Sequence, residues 1–95
     1  MAAYLIGQIR VKDKEKWQQY VAGVAGSLQG YDAEVIFRGK RTAVLAGDHD
    51  KDLTVVIRFT DQQELQKWFE ADTYQRLIPL RDSAAEVTIV TYDSY

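Results

Sequence analysis

Leu53-Thr54-Val55-Val56-Ile57-Arg58-Phe59-Thr60-Asp61-Gln62-Gln63-Glu64-Leu65 joins a strand directly to the start of a helix. The β-branched Val55, Val56 and Ile57, followed by Phe59, suit a pleated surface. Asp61 with Glu64 three residues later matches a capping box. Leu65, Trp68 and Phe69 then supply the buried stripe of the helix. Upstream, Gly47-Asp48-His49-Asp50 is a turn signal, so the chain that reaches Leu53 has just reversed. Ala33-Glu34-Val35-Ile36-Phe37-Arg38 reads as the preceding strand; Gly39-Lys40-Arg41 interrupts it and Thr42-Ala43-Val44-Leu45-Ala46 resumes it. Two full reversals, at Gly39 and at Gly47, would run the strand from Leu53 in the wrong direction. One bent strand over residues 33–47, with a bulge at Gly39, keeps the pair antiparallel and leaves residues 48–52 as the hairpin tip. An extra short hairpin is the alternative.

Working outward, residues 3–11 form a strand. Ala3, Leu5, Gly7, Ile9 and Val11 point one way; Tyr4, Ile6, Gln8 and Arg10 point the other. Asp13 is an N-cap, and Trp17, Tyr20, Val21, Val24 and Leu28 follow at helical spacing until Gly30 stops the helix. Ala22, Gly23 and Gly26 fall on its opposite face. Each internal glycine there costs about 1 kcal/mol relative to alanine, which marks either a tolerated weak spot or a close approach by another chain. Past Trp68, Asp72 caps a short helix that carries Tyr74, Leu77 and Ile78 and ends near Pro79. Residues 86–92 close the chain as a strand. The order strand, helix, two strands, helix, strand is a split βαβ arrangement. It predicts an α+β, ferredoxin-like fold with an antiparallel sheet, built as a single domain over residues 1–95.

Helices cover one face of such a sheet, and Leu5, Ile9, Val55, Ile57, Phe59, Val87 and Ile89 supply it. The other face carries Tyr4, Ile6, Ile36, Val56, Val90 and Tyr92 among Gln8, Arg10, Arg38 and Arg58. Burying each large apolar side chain is worth about 1.5–3 kcal/mol. A second copy of the same sheet satisfies that face, and two-fold symmetry makes the contact self-complementary. A homodimer with sheets face to face is the expectation; a partly wetted sheet in a monomer is the alternative.

Composition removes several function classes. Twelve Lys+Arg against fourteen Asp+Glu give a net charge of -2, without the basic stripe that nucleic acid requires. The chain has no Cys, which excludes disulfides, thiolate–metal sites and Cys nucleophiles. No stretch is long and apolar enough to span a bilayer, and the first ten residues lack the pattern of a signal peptide. A cytoplasmic protein with no membrane partner is expected. Gly23, Gly26 and Gly30 have the wrong spacing for a dinucleotide fingerprint and lie within a helix, and Ser27, Ser83 and Ser94 lack a nucleophile elbow. The only imidazole is His49, within Asp48-His49-Asp50-Lys51-Asp52. That run fails as a calcium loop because Leu53 stands where the turn Gly is needed and Phe59 where the closing Glu is needed. No metal site and no cofactor are expected.

Four further stretches carry a resemblance that spans nearly the whole chain: Trp17-Gln18-Gln19-Tyr20, Phe37-Arg38-Gly39, Val44-Leu45-Ala46-Gly47, and Trp68-Phe69 through Tyr74 to Pro79-Leu80-Arg81. Together they resemble the domain of unknown function 1330 family, within the dimeric α/β barrel superfamily. The family often has a Gly pair where this chain has Asp32-Ala33. It often has a Glu where this chain has Ala46, so no carboxylate role carries over there. The resemblance implies a cytoplasmic dimer of ferredoxin-like subunits. It implies no reaction, although the wider superfamily includes monooxygenases, dehalogenase-like enzymes and isomerases.

Arg38 and Arg81 match family positions, and a guanidinium can fork two hydrogen bonds to a carboxylate. Glu34 and Asp82 are the protein partners that would make them structural ion pairs instead. Trp68 and Tyr74 either line a cleft or pack in the core with a satisfied polar tip. Tyr4, Tyr92 and Arg10 either line the barrel interior or pack at the interface. The first reading is a homodimer that binds a small anionic or phenolic molecule, or a cofactor-free enzyme. Its pocket lies between the sheet and the Trp68–Arg81 segment, with Arg38, Trp68, Tyr74 and Arg81 as ligand-binding residues and His49 or Tyr74 as acid–base candidates. The second is a non-catalytic structural or interaction module that associates through its sheet. A pocket of roughly 300 Å³ or more with converging polar groups favours the first. Residue chemistry alone does not name a reaction.

Overall fold

The computed structural model describes residues Met1–Tyr95. Strand β1 (Ala3–Val11) leads into helix α1 (Lys14–Ser27), then β2 (Ala33–Lys40), β3 (Leu53–Phe59), α2 (Gln62–Glu70), α3 (Asp72–Gln75), α4 (Ile78–Ala84) and β4 (Ala85–Asp93). The sheet order is β2-β3-β1-β4 with every neighbouring pair antiparallel, the α+β ferredoxin-like topology that the element order predicts. No helix is long and apolar enough to cross a membrane.

Local chemistry places the helices. The Asp13 carboxylate accepts from the Lys16 amide at 3.1 Å, and Asp61 accepts from the Glu64 amide at 2.9 Å, each satisfying a free first-turn donor. The amides of Lys12 and Asp13 both donate to the Ala84 carbonyl, at 2.8 and 3.0 Å, which ties the start of α1 to the end of α4. Gly30, at φ +88°, takes the left-handed turn after α1. The core gathers Leu5, Ile57 and Phe59 from the sheet with Tyr20, Leu65, Trp68 and Tyr74 from the helices.

Three expectations need correction. The bulge lies between Val35 and Phe37, not at Gly39. Val35 stands opposite Ile57, Phe37 opposite Val56 and Arg38 opposite Val55. The extra residue therefore sends Phe37 to the open face and Arg38 to the helix-covered face, the reverse of the face expected for Arg38. Gly39 has another purpose: a Cβ there would lie 2.6 Å from Cζ of Phe37, so the missing side chain seats the Phe37 ring. Second, residues 42–46 do not resume the strand. The Arg41 amide bonds the Asp52 carbonyl at 2.6 Å, and beyond that point the chain is a loop. The Arg41 guanidinium holds its return limb by donating to the His49 and Lys51 carbonyls at 2.8 and 3.4 Å. Third, Asp72 is the first residue of α3 and not its cap, which is Ala71 with no side-chain hydrogen bond, and Pro79 opens α4 instead of ending a helix. In the first turn its missing N–H costs nothing and its fixed φ suits the helix.

The two helical glycines also separate. A Cβ on Gly23 would meet Leu77 Cδ2 at 2.6 Å, whereas one on Gly26 would meet nothing within 4 Å. At Gly23 the close approach is made by the chain's own Leu77. Gly26→Ala should raise stability by about 0.5–1 kcal/mol. Gly23→Ala should lower it, because overpacking costs about 1–3 kcal/mol. Urea unfolding midpoints of the two variants check this contrast.

Candidate functional site

A cleft of about 630 Å³ opens between α1 and the helix-covered face of the sheet. The sequence makes it in three ways. Gly7 contributes no side chain at the centre of β1, between Leu5 and Ile9 on the same face. The α1 stripe of Trp17, Tyr20, Val21, Val24 and Leu28 forms the roof, and Trp68 and Tyr74 stand at the wall. The β2 bulge puts Arg38 on the helix-covered face, where its exposed side chain joins the edge of the cleft with the exposed Lys40.

The wall is aromatic and its polar atoms are engaged. Trp68 and Tyr74 are 2% and 0% exposed, with ring centroids 4.4 Å apart. Trp17 stacks on Tyr20 at 5.1 Å. The Trp68 indole N–H donates to Ser27 Oγ at 2.9 Å, and Ser27 passes its own hydrogen to the Val24 carbonyl at 2.7 Å. The Tyr20 and Tyr74 hydroxyls meet at 2.9 Å, and Arg81 Nη1 donates to Tyr74 at 3.0 Å. Arg81 is held in turn by Asp82 at 3.1 Å. Burial works against the Arg81 charge, but the Tyr74 hydroxyl and Asp82 outweigh it and raise its pKa.

Burial pushes the Tyr20 phenol well above its ordinary value near 10. A raised folded-state pKa contributes stability in full below the unfolded value and loses it as pH climbs past that point. Stability should therefore fall above about pH 10, with Tyr20 contributing about 1.4 kcal/mol per pH unit. Unfolding midpoints between about pH 9 and pH 11 should fall less steeply in Tyr20→Phe than in the wild type.

The candidate residues divide by place. Arg38, Trp68 and Tyr74 meet at the cleft. Arg81 does not line it and reaches it only through Tyr74. His49 sits elsewhere, in a hollow of about 220 Å³ beside the loop, with Phe37, Arg41 and Lys51. Glu34, the carboxylate considered for Arg38, pairs instead with Arg58 at 2.9 Å, and Arg10 pairs with Glu86. Arg38 holds no carboxylate of the chain. Tyr20 and Lys40 line the cleft and Ser27 stands behind Trp68, and none of the three was among the candidate site residues. A hydroxyl on a buried stripe, as at Tyr20 and Ser27, is the signal that points to them, because a buried polar group needs a partner.

Comparison with known proteins places this geometry. No curated protein matches the sequence. The fold is similar to that of RPA0582, a protein of unknown function from Rhodopseudomonas palustris, at TM-score 0.84 and 11% identity over 99% of this chain and 82% of that one. A dimeric ferredoxin-like protein of unknown function from Jannaschia sp. CCS1 gives TM-score 0.74 at 13% identity, over 99% and 100%. SnoaB, a cofactor-independent oxygenase from Streptomyces nogalater, gives 0.71 at 7% identity, over 99% and 93%. At these identities the likeness is one of fold. The family model for the domain of unknown function DUF1330 matches residues 2–95, and the chain belongs to that family.

Proposed function

We propose that the protein is a homodimeric small-molecule-binding protein whose cleft takes a flat, largely apolar molecule bearing an anionic group. The observation that carries the reading is Arg38: a guanidinium without a carboxylate partner, beside Lys40, on the lining of a 630 Å³ aromatic cleft. Small-molecule sites have this make-up, an apolar lining with few polar groups. Any chemistry on the bound molecule, of the kind named for SnoaB, would fall to Tyr20 and Tyr74, since His49 lies outside the cleft.

The dimer reading rests on the open face. Phe37, Val56, Ile6 and Val90 stand in register across all four strands and form one apolar row. Phe37 and Val90 are 53% and 42% exposed in the single chain. The row is bordered on one side by Glu34, Arg58, Tyr4 and Tyr92 and on the other by Gly39, Thr54, Gln8 and Thr88. A row flanked in this way matches its own two-fold copy. The dimeric state named for the Jannaschia protein supports a homodimer.

Titration with 2-naphthoate, followed by tryptophan fluorescence from Trp17 and Trp68, tests the cleft. Saturable binding is expected, with 2-methylnaphthalene binding at least tenfold more weakly. Arg38→Met with Lys40→Met should weaken naphthoate binding by about 10–100-fold, the loss of one or two charge-assisted contacts. Absence of saturable binding to the wild type at millimolar naphthoate would overturn the reading.

A further inference from the structure

Counting hydrogens along the Arg81–Tyr74–Tyr20 chain fixes its direction. Arg81 has only hydrogens to give, so Tyr74 Oη accepts from it at 3.0 Å. Tyr74 is fully buried, and the one other polar atom bonded to its hydroxyl is Tyr20 Oη at 2.9 Å. If Tyr20 donated to Tyr74, the hydrogen without an acceptor would sit on Tyr74, which is 0% exposed, instead of on Tyr20, which is 7% exposed, and a stranded donor costs more the deeper it is buried. Tyr74 therefore donates to Tyr20. The Tyr20 hydrogen is left over, and no acceptor for it exists in the chain. Tyr20 lines the cleft. The raised phenol pKa keeps that hydrogen in place at physiological pH, so Tyr20 offers a donor and not a base.

We infer that Tyr20 determines specificity by donating a hydrogen bond to a carbonyl-type oxygen on the part of the ligand that lies against the aromatic wall. The inference rests on the reading of the cleft as a ligand site and deepens it. The ligand then has three parts: an anionic group for Arg38 and Lys40, a flat apolar body, and an acceptor oxygen for Tyr20. Arg81 acts as a positioning residue, because it sets the direction of the chain without touching the ligand.

A matched pair of probes tests this: 6-acetyl-2-naphthoate and 6-isopropenyl-2-naphthoate, which differ in C=O against C=CH2. The wild type should bind the ketone about tenfold more tightly than the alkene, the worth of one buried hydrogen bond. Tyr20→Phe should bring the ratio of the two affinities close to one. With ¹³C at the acetyl carbonyl, the resonance should move downfield on binding to the wild type, which reads the hydrogen bond without any variant. Equal affinities for the two probes in the wild type, or a preference that survives Tyr20→Phe, would overturn the donor assignment and leave the cleft reading standing. Failure of both probes to bind would overturn the cleft reading and this inference with it.

Discussion

Ile6→Asp should convert the protein from a dimer to a monomer without unfolding it. Ile6 lies on an inner strand of the sheet and at the middle of the apolar row, with Val56 opposite it on β3 and Val90 opposite it on β4. It points away from the helices and packs against nothing in the hydrophobic core, so a carboxylate there stays hydrated in a single chain. Face-to-face sheets change that. Two-fold symmetry brings two carboxylates into one apolar layer, where Arg58 is already paired with Glu34 and Arg10 with Glu86. Burying an unpaired charge costs several kcal/mol even after relaxation, so the dimer dissociation constant should rise by about a thousandfold or more. Sedimentation velocity at micromolar concentration should give twice 10.9 kDa for the wild type and 10.9 kDa for the variant, with the far-ultraviolet circular dichroism unchanged. A wild type that sediments at 10.9 kDa, or a variant that stays dimeric, would remove the sheet-to-sheet reading.

The same face marks where the sequence is readable and where it is not. Alternation in β1 is unbroken from Ala3 to Arg10, so both of its faces follow from the period of two. Val35-Ile36-Phe37 is a run of three apolar residues and carries no parity. Glycine is the usual mark of a bulge, and Gly39 attracted that role, but the bulge sits at Ile36 and Gly39 serves the Phe37 ring. One residue of slip reverses every side chain beyond it, and that is how Arg38 moves from the open face into the cleft. Pro79 misled for a related reason. A proline fits the first turn of a helix as well as the end of one, and only the position of Ala84 beneath Lys12 and Asp13 decides between them. Trp68 and Tyr74 were readable as a pair because they lie on one short segment. The Tyr20–Tyr74 contact joins residues fifty-four apart in sequence, and no local pattern encodes such a distance. Arg81 and His49 were identifiable by residue type, but their roles depend on packing: one stands behind Tyr74 and the other beside a loop.

Trp68→Ala should cost about 4 kcal/mol, a large part of the roughly 5–14 kcal/mol that a chain of this length holds in total. Trp68 is the joint of the core. Its ring contacts Phe59 of β3 at 5.5 Å, Phe69 of α2 at 6.3 Å and Tyr74 of α3 at 4.4 Å, and its N–H fastens α2 to α1 through Ser27. The variant loses the apolar burial, the aromatic contacts and the hydrogen bond together. It also joins its vacated volume to the neighbouring cleft, which limits collapse around the gap. Ser27→Ala isolates the polar part. It leaves the ring in place but strands a buried indole N–H, at about 1–3 kcal/mol. Trp68→Phe removes the donor and keeps most of the ring, so Ser27→Ala made on that background should cost less than Ser27→Ala alone. Urea unfolding of the four chains closes a double-mutant cycle whose coupling energy should fall between about 0.5 and 3 kcal/mol. A coupling of zero would mean that the Trp68–Ser27 bond does not hold α2 to α1, and the loss in Trp68→Ala would then belong to ring packing alone.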